Sequence, residues 1–305
     1  MKHRLHVLTA ALLLVGLAQG AAAEAQQKTI LKFAHITPTT FPYHDGALKF
    51  KEVLERLSGG KVEVQVFPAA QLGGERDINE GIRLGTIHVG VGAGALAGFA
   101  AIYNMVELPF LIKNQDHMAR VSDGPAGKLL ARRIEEQSGF KVLGFWSTGD
   151  SGIQTVKAPV RTPDDLKGVK IRVMENQALI ESTRALGATP TPIPFPEVYT
   201  SLKQGVVEGA HLDYTALYTT KVFETFKFIT APGAHFLAEP RPVIMSAKFL
   251  ASLPGEVQGW IQQAANEAIA YERTLFRERQ AKAIEELKAR GIQFVEIDTR
   301  PFSSG

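Results

Sequence analysis

The hydrophobic pattern of the chain alternates between period 2 and period 3.6 from residue 29 onward. "TILKFAH" is typical of a strand, "GALKFKEVLERLSGG" places Phe50, Val53, Leu54 and Leu57 on one helical face, and "KVEVQVF" alternates as a strand. A short helix, "ERDINEGIRLG", and a strand, "IHVGVG", follow. This order predicts an α/β fold with a mainly parallel sheet, in which ligands bind at the carboxyl ends of the strands.

A second α/β run begins near "KVLGFW". It continues through the strand "GVKIRVME", the helices "ALIESTRALG" and "PFPEVYTSLKQG", and the strands "VVEGAHL" and "FKFIT". The segment after Pro254 has no further proline before the end of the pattern and no glycine between Gly259 and Gly291, so it predicts one long helix. A helix of that length is expected to span two lobes.

Residues 1–23 have the features of a secretory signal peptide. Lys2 and Arg4 form a basic start, "LHVLTAALLLVGLA" is an apolar core, and "GAAAEA" offers small residues for cleavage after Ala23. The apolar run is shorter than the roughly 18 residues of a membrane span. We therefore expect export to the periplasm. The sequence has no cysteine, so it predicts neither disulfides nor cysteine-based metal or thiol chemistry.

Charge and motif spacing argue against several other classes of function. The net charge is +3 and the Lys and Arg residues do not cluster, so a nucleic-acid partner is not predicted. No His-x-x-x-His pair, calcium loop or phosphate-binding loop occurs. The glycine-rich "GVGAGALAG" lacks the Lys-Ser/Thr of a P-loop. The sequence therefore predicts no metal and no cofactor.

The stretch "WSTGDSGIQT" contains the four letters that surround the nucleophile of chymotrypsin-like serine proteases. A secreted serine hydrolase using Ser151 is therefore one hypothesis. Against it, Ile153 stands where both the protease motif and the α/β-hydrolase elbow require glycine, and the alternating pattern is not that of a double β-barrel. Gly, Asp and Ser are also ordinary turn residues, so a loop is the alternative interpretation.

Arg172 is the best-placed cation in the pattern. It lies near the carboxyl end of a predicted strand, and its side chain is expected on the opposite sheet face from Ile171 and Val173. A guanidinium can hold a carboxylate through two parallel hydrogen bonds. From the residues alone, an ion pair with a neighbouring Asp or Glu is the favoured interpretation.

Several segments in one order resemble a known family. "LKFAHITPTT", "VEVQVFPAAQLGGERDINEGIRLGTIHVGV", "LKGVKIRVMEN" and "PIPFPEVYTSLKQGVVEG" are similar to the substrate-binding subunit (P-subunit, dicarboxylate-binding-protein type) of tripartite ATP-independent periplasmic (TRAP) transporters. The resemblance covers roughly residues 29–300. It implies two α/β lobes, joined by hinge strands and a long helix, that close on an organic acid.

The resemblance also implies domain bounds and site residues. Lobe I would comprise 28–148 plus 236–270, and lobe II 149–235 plus 271–305. Arg172 corresponds to the carboxylate-clamping arginine of the family. The other implied ligand-binding positions are His35, Thr37, Ala93, Gly94, Asp150, Ser151, Asn176, Phe195, Tyr199, Leu212 and Asp213.

Three departures from the family pattern bear on the substrate. Gly152 stands where many members carry a second arginine, Leu212 stands where many carry an asparagine with Asp213 next to it, and Ala93 replaces an acidic residue of some sialic-acid binders. Compared with those family members, this site would have one cation fewer and one possible hydrogen-bond acceptor more, Asp213. Both changes disfavour a second ligand carboxylate, because an unpaired buried anion is costly. These departures favour a hydroxy- or sugar-acid monocarboxylate over a dicarboxylate.

The resulting expectation is a non-enzymatic binding protein that delivers a small organic acid to the membrane subunits of a TRAP permease. Presentation of the closed, liganded form to a sensor kinase is an alternative that the sequence leaves open. Family members commonly continue past the final strand into another helix, whereas this sequence ends at Gly305. A short variant or a missing helix would both account for that ending.

Overall fold

The computed structural model describes residues 28–233 and 236–303. The predicted signal peptide therefore lies outside the described residues. Within them are two separate mixed sheets surrounded by helices, which confirms the predicted two-lobed α/β class. None of the helices in these residues combines the length and the apolar character that crossing a membrane requires.

Five strands form the first sheet: β1 (Thr29–Ala34), β2 (Val62–Phe67), β3 (Val89–Val91), β4 (Phe140–Trp146) and β10 (Arg241–Ser246). Their spatial order is β2-β1-β3-β10-β4. The three strands β2, β1 and β3 run parallel, as the strand–helix–strand pattern predicts, whereas β10 returns from the second half of the chain and pairs antiparallel with β3 and β4. The ends of β1, β3 and β10 thus lie side by side.

Six strands form the second sheet: β5 (Ser151–Thr155), β6 (Lys170–Val173), β7 (Thr189–Pro192), β8 (Gly209–Asp213), β9 (Phe228–Thr230) and β11 (Gln293–Val295). Their spatial order is β11-β9-β5-β8-β6-β7. Strand β6 is parallel to both of its neighbours, and β5 is antiparallel to β8 and β9. Ile171 and Val173 pack into a buried apolar cluster. Arg172 therefore lies on the opposite face of β6, as its place in the pattern predicts.

Ten α-helices accompany the sheets within the described residues: α1 (Pro42–Leu57), α2 (Glu75–Leu84), α3 (Gln115–Asp123), α4 (Pro125–Ser138), α5 (Gln177–Ala185), α6 (Val198–Lys203), α7 (Tyr214–Thr219), α8 (Ala247–Ser252), α9 (Gly255–Ala289) and α10 (Arg300–Ser303). Helix α1 buries Phe50, Val53 and Leu54, which lie on the face that the spacing predicts, and α2 buries Ile78 and Ile82.

The long helix α9 packs against α1, β4 and α7. Its first half contributes Ile261, Ala264 and Ala268 to the core that contains β1 and α1. Near its end, Leu287 joins the core of the second sheet. A single helix therefore contacts both lobes, as the resemblance implies.

Two sequence predictions differ locally from the structure. The predicted helix "PFPEVYTSLKQG" is divided into a 3-10 turn at Phe195–Glu197 and α6, and the predicted strand "VVEGAHL" begins only at Gly209. Pro196 in the first turn favours the tighter helix, and Gly205 ends this region with a φ of 70°.

Candidate functional site

Strand ends of both sheets meet around a central cavity of about 90 Å³. The segments that follow β1 and β3 form one wall, and the ends of β6, β7 and β8 form the other. Six of the positions predicted for ligand binding line this cavity: His35, Thr37, Ala93, Arg172, Phe195 and Asp213. A cleft at strand ends between two lobes is a usual location for a ligand.

Arg172 is the cation that the cavity offers to a ligand. Its side chain is 2% exposed, and its Nε donates a hydrogen bond to the Ile193 carbonyl at 2.9 Å. No residue in the described parts of the chain accepts a hydrogen bond from its two terminal nitrogens. Burial, followed by the nearby charge of Arg241, lowers its pKa to about 10, so the guanidinium stays protonated at neutral pH. The fork is thus oriented and available for an anion.

A second arginine, Arg241, lies beside the cavity, but its charge is already neutralised. Its Nη1 donates to Glu107 Oε1 at 3.4 Å and its Nη2 donates to Glu239 Oε1. All three side chains are buried. Burial and the neighbouring Glu239 raise the pKa of Glu107 well above its ordinary value. This cluster therefore contributes no free positive charge for a ligand.

Carboxyl groups also line the cavity. Glu75, at the start of α2, accepts a hydrogen bond from the Ala93 amide at 2.5 Å, and burial raises its pKa. Asp213 caps α7 by accepting from the Ala216 amide at 2.9 Å, and burial raises its pKa to about 6. These groups suit ligand hydroxyls, since a carboxyl oxygen accepts a hydrogen bond from O–H.

His35 belongs to a short polar chain at the end of β1. Its Nδ1 lies 3.0 Å from Thr37 Oγ1, and its Nε2 lies 3.3 Å from His44 Nδ1. Burial and the nearby His44 lower the pKa of His35 to about 3. The ring is therefore neutral at physiological pH, and it adds hydrogen-bonding capacity to the cavity without a charge.

A second cavity of about 70 Å³ adjoins the first. Arg172, Asp213 and Arg241 line both. Two further predicted positions, Ser151 and Leu212, line the second cavity but not the first. The two spaces thus meet around the guanidinium of Arg172.

Gly94 and Asn176 lie outside the lining and connect the two lobes instead. Asn176 Oδ1 caps α5 by accepting from the Leu179 amide at 3.0 Å, while its Nδ2 donates to the Gly94 carbonyl at 3.3 Å. A Cβ atom on Gly94 would lie 2.7 Å from Met174 Cβ. Glycine therefore permits a close approach of the lobes at this point.

Asp150 and Tyr199 are also absent from the lining of both cavities. Asp150 accepts a hydrogen bond from the Gly233 amide at 2.8 Å, and its own amide donates to Gln280 of α9 at 2.8 Å. The Tyr199 hydroxyl donates to Glu224 at 3.2 Å. One turn earlier, Phe195 does face the central cavity.

Gly152 does not occupy the vacant ligand-facing position that the sequence suggests, and this prediction is wrong. A Cβ atom built on Gly152 would lie 2.0 Å from Thr230 Oγ1, in the neighbouring strand β9. Thr230 Oγ1 is itself fixed, because it accepts the Ile153 amide at 2.8 Å. A side chain here would point into the sheet. The neighbouring residue on the cavity side of β5 is Ser151.

The "GDSG" stretch forms part of the crossing between the lobes. Ser151 pairs with Leu237 on the returning segment, and its Oγ donates to the Leu237 carbonyl at 2.7 Å. Within the described residues, neither ring nitrogen of His211 has a hydrogen-bond partner, so Ser151 and His211 do not form a nucleophile–base pair. The geometry supports a hinge loop and gives no support to the hydrolase hypothesis.

Sequence reasoning missed Glu75, Glu107, His211, Glu239 and Arg241. Glu239 and Arg241 stand two apart in an extended "AEPRP" segment, which places both on one face, so a charge pair was the available signal. The sequence contained no comparable signal for Glu107 and His211, because only the tertiary fold brings them to the cleft.

Comparison with known families decides the class of protein. The model of the bacterial extracellular solute-binding proteins, family 7, matches residues 33–303. The chain belongs to this family. The family match, the two-lobed fold and the cleft together support a role as the periplasmic solute-binding component of TRAP transport.

Relatives of this solute-binding protein span nearly its whole length. The 2,3-diketo-L-gulonate-binding periplasmic protein of Escherichia coli (strain K12) is 32% identical over 302 residues, which is 98% of this chain and 91% of that protein. The C4-dicarboxylate-binding periplasmic protein of Rhodobacter capsulatus is 31% identical over 266 residues, which is 86% of this chain and 78% of that protein.

Solved structures agree with the fold of this solute-binding protein. A TRAP periplasmic solute-binding protein from Sulfitobacter sp. NAS-14.1, with bound β-D-galacturonate, has a TM-score of 0.86 at 30% identity, covering 90% of this chain and 91% of that one. A second, from Roseobacter denitrificans OCh 114 with bound L-galactonate, has a TM-score of 0.86 at 29% identity, covering 91% and 92%.

Proposed function

We propose that this protein binds a monocarboxylate sugar acid between its lobes and delivers it to the membrane subunits of a TRAP permease. The observation that carries the proposal is the buried Arg172 guanidinium, whose Nε is fixed by Ile193 while its terminal nitrogens remain available at the cavity. Such a fork binds one carboxylate through two hydrogen bonds.

The charges around the cavity favour a single ligand carboxylate. Arg241 is paired with Glu239 and Glu107, and Glu75 and Asp213 add further carboxyl groups. A second ligand carboxylate would meet these groups without a free cation, which is costly in a buried site. Hydroxyl groups, in contrast, can donate to the carboxyl oxygens.

The ligands of relatives support the same class of acid. Galacturonate, galactonate and 2,3-diketo-L-gulonate each carry one carboxylate, several further oxygens, and an oxygen on the carbon next to the carboxylate. The Rhodobacter relative is named for C4-dicarboxylates, so a dicarboxylate is the alternative substrate class. The neutralised charge of Arg241 argues against it here.

Three further parts of the proposal concern the cellular setting. Residues 1–23 would be removed on export. Lobe I would comprise 28–148 plus 236–270, and lobe II 149–235 plus 271–305. The bound acid would be released from the protein chemically unchanged. Closure of the lobes around the acid would create the form that the permease recognises.

A ligand screen tests the proposal directly. Melting temperature and calorimetric affinity should be measured with D-galacturonate, D-glucuronate, L-galactonate, succinate and L-malate. The sugar acids are expected to stabilise the protein by an amount that rises with the logarithm of ligand concentration over Kd. The dicarboxylates are expected to bind at least tenfold more weakly. Stabilisation by the dicarboxylates alone, or by none of these acids, would overturn the proposal. Release of a chemically altered acid would contradict its non-enzymatic part.

A further inference from the structure

His211 lies in the middle of β8 and lines the second cavity. Its neighbours Ala210 and Leu212 both pack into the apolar core of the second lobe. Because side chains alternate along a strand, His211 projects to the opposite side, in register with Ile153 of β5. Its ring centroid lies 5.5 Å from that of Phe236. The imidazole is therefore held by packing next to the cavity that it lines.

The imidazole of His211 is buried and lacks partners. It is 4% exposed, and neither Nδ1 nor Nε2 has a hydrogen-bond partner within the described residues. Leaving a buried polar group unsatisfied destabilises the folded state, so such groups are rare in folded proteins. A polar group that enters the second cavity would give one of these nitrogens a partner.

The second cavity is large enough for such a group and opens at the right place. Its volume of about 70 Å³ exceeds the roughly 10–15 Å³ that a single water molecule requires. Arg172 and Asp213 line both this space and the central cavity. A ligand carboxylate bound to Arg172 therefore lies where the two cavities meet. The ligand atoms nearest to that carboxylate can reach the second cavity, while the rest of the ligand fills the first.

The chemistry of His211 defines what it can bind. Burial and the nearby positive charge of Arg172 lower its pKa to about 3, so the ring is neutral. A neutral imidazole has one N–H donor and one acceptor nitrogen. It matches a hydroxyl, keto or ether oxygen and offers no charge to a second carboxylate.

We infer that His211 is a specificity-determining residue that donates a hydrogen bond to the oxygen on the carbon next to the ligand carboxylate. This inference rests on the proposed function, because it assumes that Arg172 holds that carboxylate. The sugar acids named above all carry an oxygen at this carbon, whereas a simple alkyl acid does not.

The test compares L-galactonate with its 2-deoxy analogue, which lacks only the oxygen in question. Calorimetry should give the ratio of their two Kd values for the wild type, for His211→Leu, and for His211→Gln, which keeps a donor and an acceptor. We expect the wild type to prefer L-galactonate at least tenfold, His211→Leu to reduce that preference to less than threefold, and His211→Gln to retain part of it.

The outcomes separate this inference from the proposed function. An equal loss of affinity for both acids in His211→Leu, or an unchanged ratio, would overturn the role of His211 while leaving the proposed function intact. Failure of the wild type to bind any of the acids in the ligand screen would overturn both. Melting curves without ligand verify folding; His211→Leu should melt no lower than the wild type, because it removes unsatisfied polar atoms.

Discussion

Ser147 donates its backbone N–H to Glu272 Oε2 at 2.9 Å, which ties the start of the interlobe crossing to the middle of α9. Glu272 is fully buried, and its Oε1 has no partner in the described residues. Burial, opposed by the Ser147 hydrogen bond and by Arg273, raises the pKa of Glu272 to about 8. A largely protonated carboxyl group thus sits at the hinge.

The buried acid at position 272 should make the stability of the protein depend on pH. Its pKa is higher in the folded than in the unfolded state, so its contribution is full below about pH 4.5 and is lost as pH rises through about 8. Glu272→Gln keeps an acceptor for Ser147 without the charge. We expect it to raise the free energy of unfolding at pH 8 by about 1–3 kcal/mol, with a smaller effect at pH 5.

Urea denaturation at both pH values measures this difference. Glu285→Gln, at an exposed position of the same helix, is the control and should leave the free energy of unfolding unchanged at both pH values. Equal effects of Glu272→Gln at pH 5 and pH 8 would contradict the account of the buried acid.

The space around Gly152 leads to a second prediction. A methyl group would overlap Thr230 Oγ1 in a buried part of the sheet, so Gly152→Ala should destabilise the protein by about 1–3 kcal/mol. Gly259→Ala is the matched control, because Gly259 lies in α9 with no atom within 4 Å of the added carbon. It should be neutral or stabilising by up to about 1 kcal/mol. A normal melting temperature for Gly152→Ala would show that β5 accommodates a side chain there.

Local patterns were sufficient to predict most of the fold. The period-2 and period-3.6 segments located β1, α1, β2 and α2, because each buries one face or stripe. The absence of proline and glycine between Gly259 and Gly291 located α9. The antiparallel return of β10 could not be read from periodicity, since a fully buried strand such as "RPVIMS" has no alternation to reveal its partner.

The candidate site divides in the same way. The sheet face on which Arg172 lies was predictable, because a charged residue between two core positions of a strand stands out. The partners of Arg241 were not, because Glu107 is distant in sequence and only the folded chain brings it near. Gly152 was misjudged since sequence similarity does not reveal which side of β5 a residue faces.

Asp213 should contribute to discrimination against dicarboxylates. Its pKa of about 6 means that it is ionised at pH 8 and largely protonated at pH 5.5, so the wild type should reject L-malate more strongly at pH 8. Asp213→Asn retains a good helix cap and removes the charge. We expect it to improve the affinity for L-malate relative to D-galacturonate by roughly tenfold at pH 8. Calorimetry at both pH values measures the ratio, and an unchanged ratio in the variant would exclude this role.

The most direct test of the central claim is the affinity of Arg172 variants for D-galacturonate, or for the best acid of the ligand screen, by calorimetry. Arg172→Ala should lose detectable binding, and Arg172→Lys should bind at least tenfold more weakly, because an ammonium group cannot reproduce the two-pronged contact. Arg184→Ala, which removes an exposed ion pair with Glu181, should bind as the wild type does. Wild-type affinity in Arg172→Ala would contradict the assignment of Arg172 as the residue that holds the carboxylate.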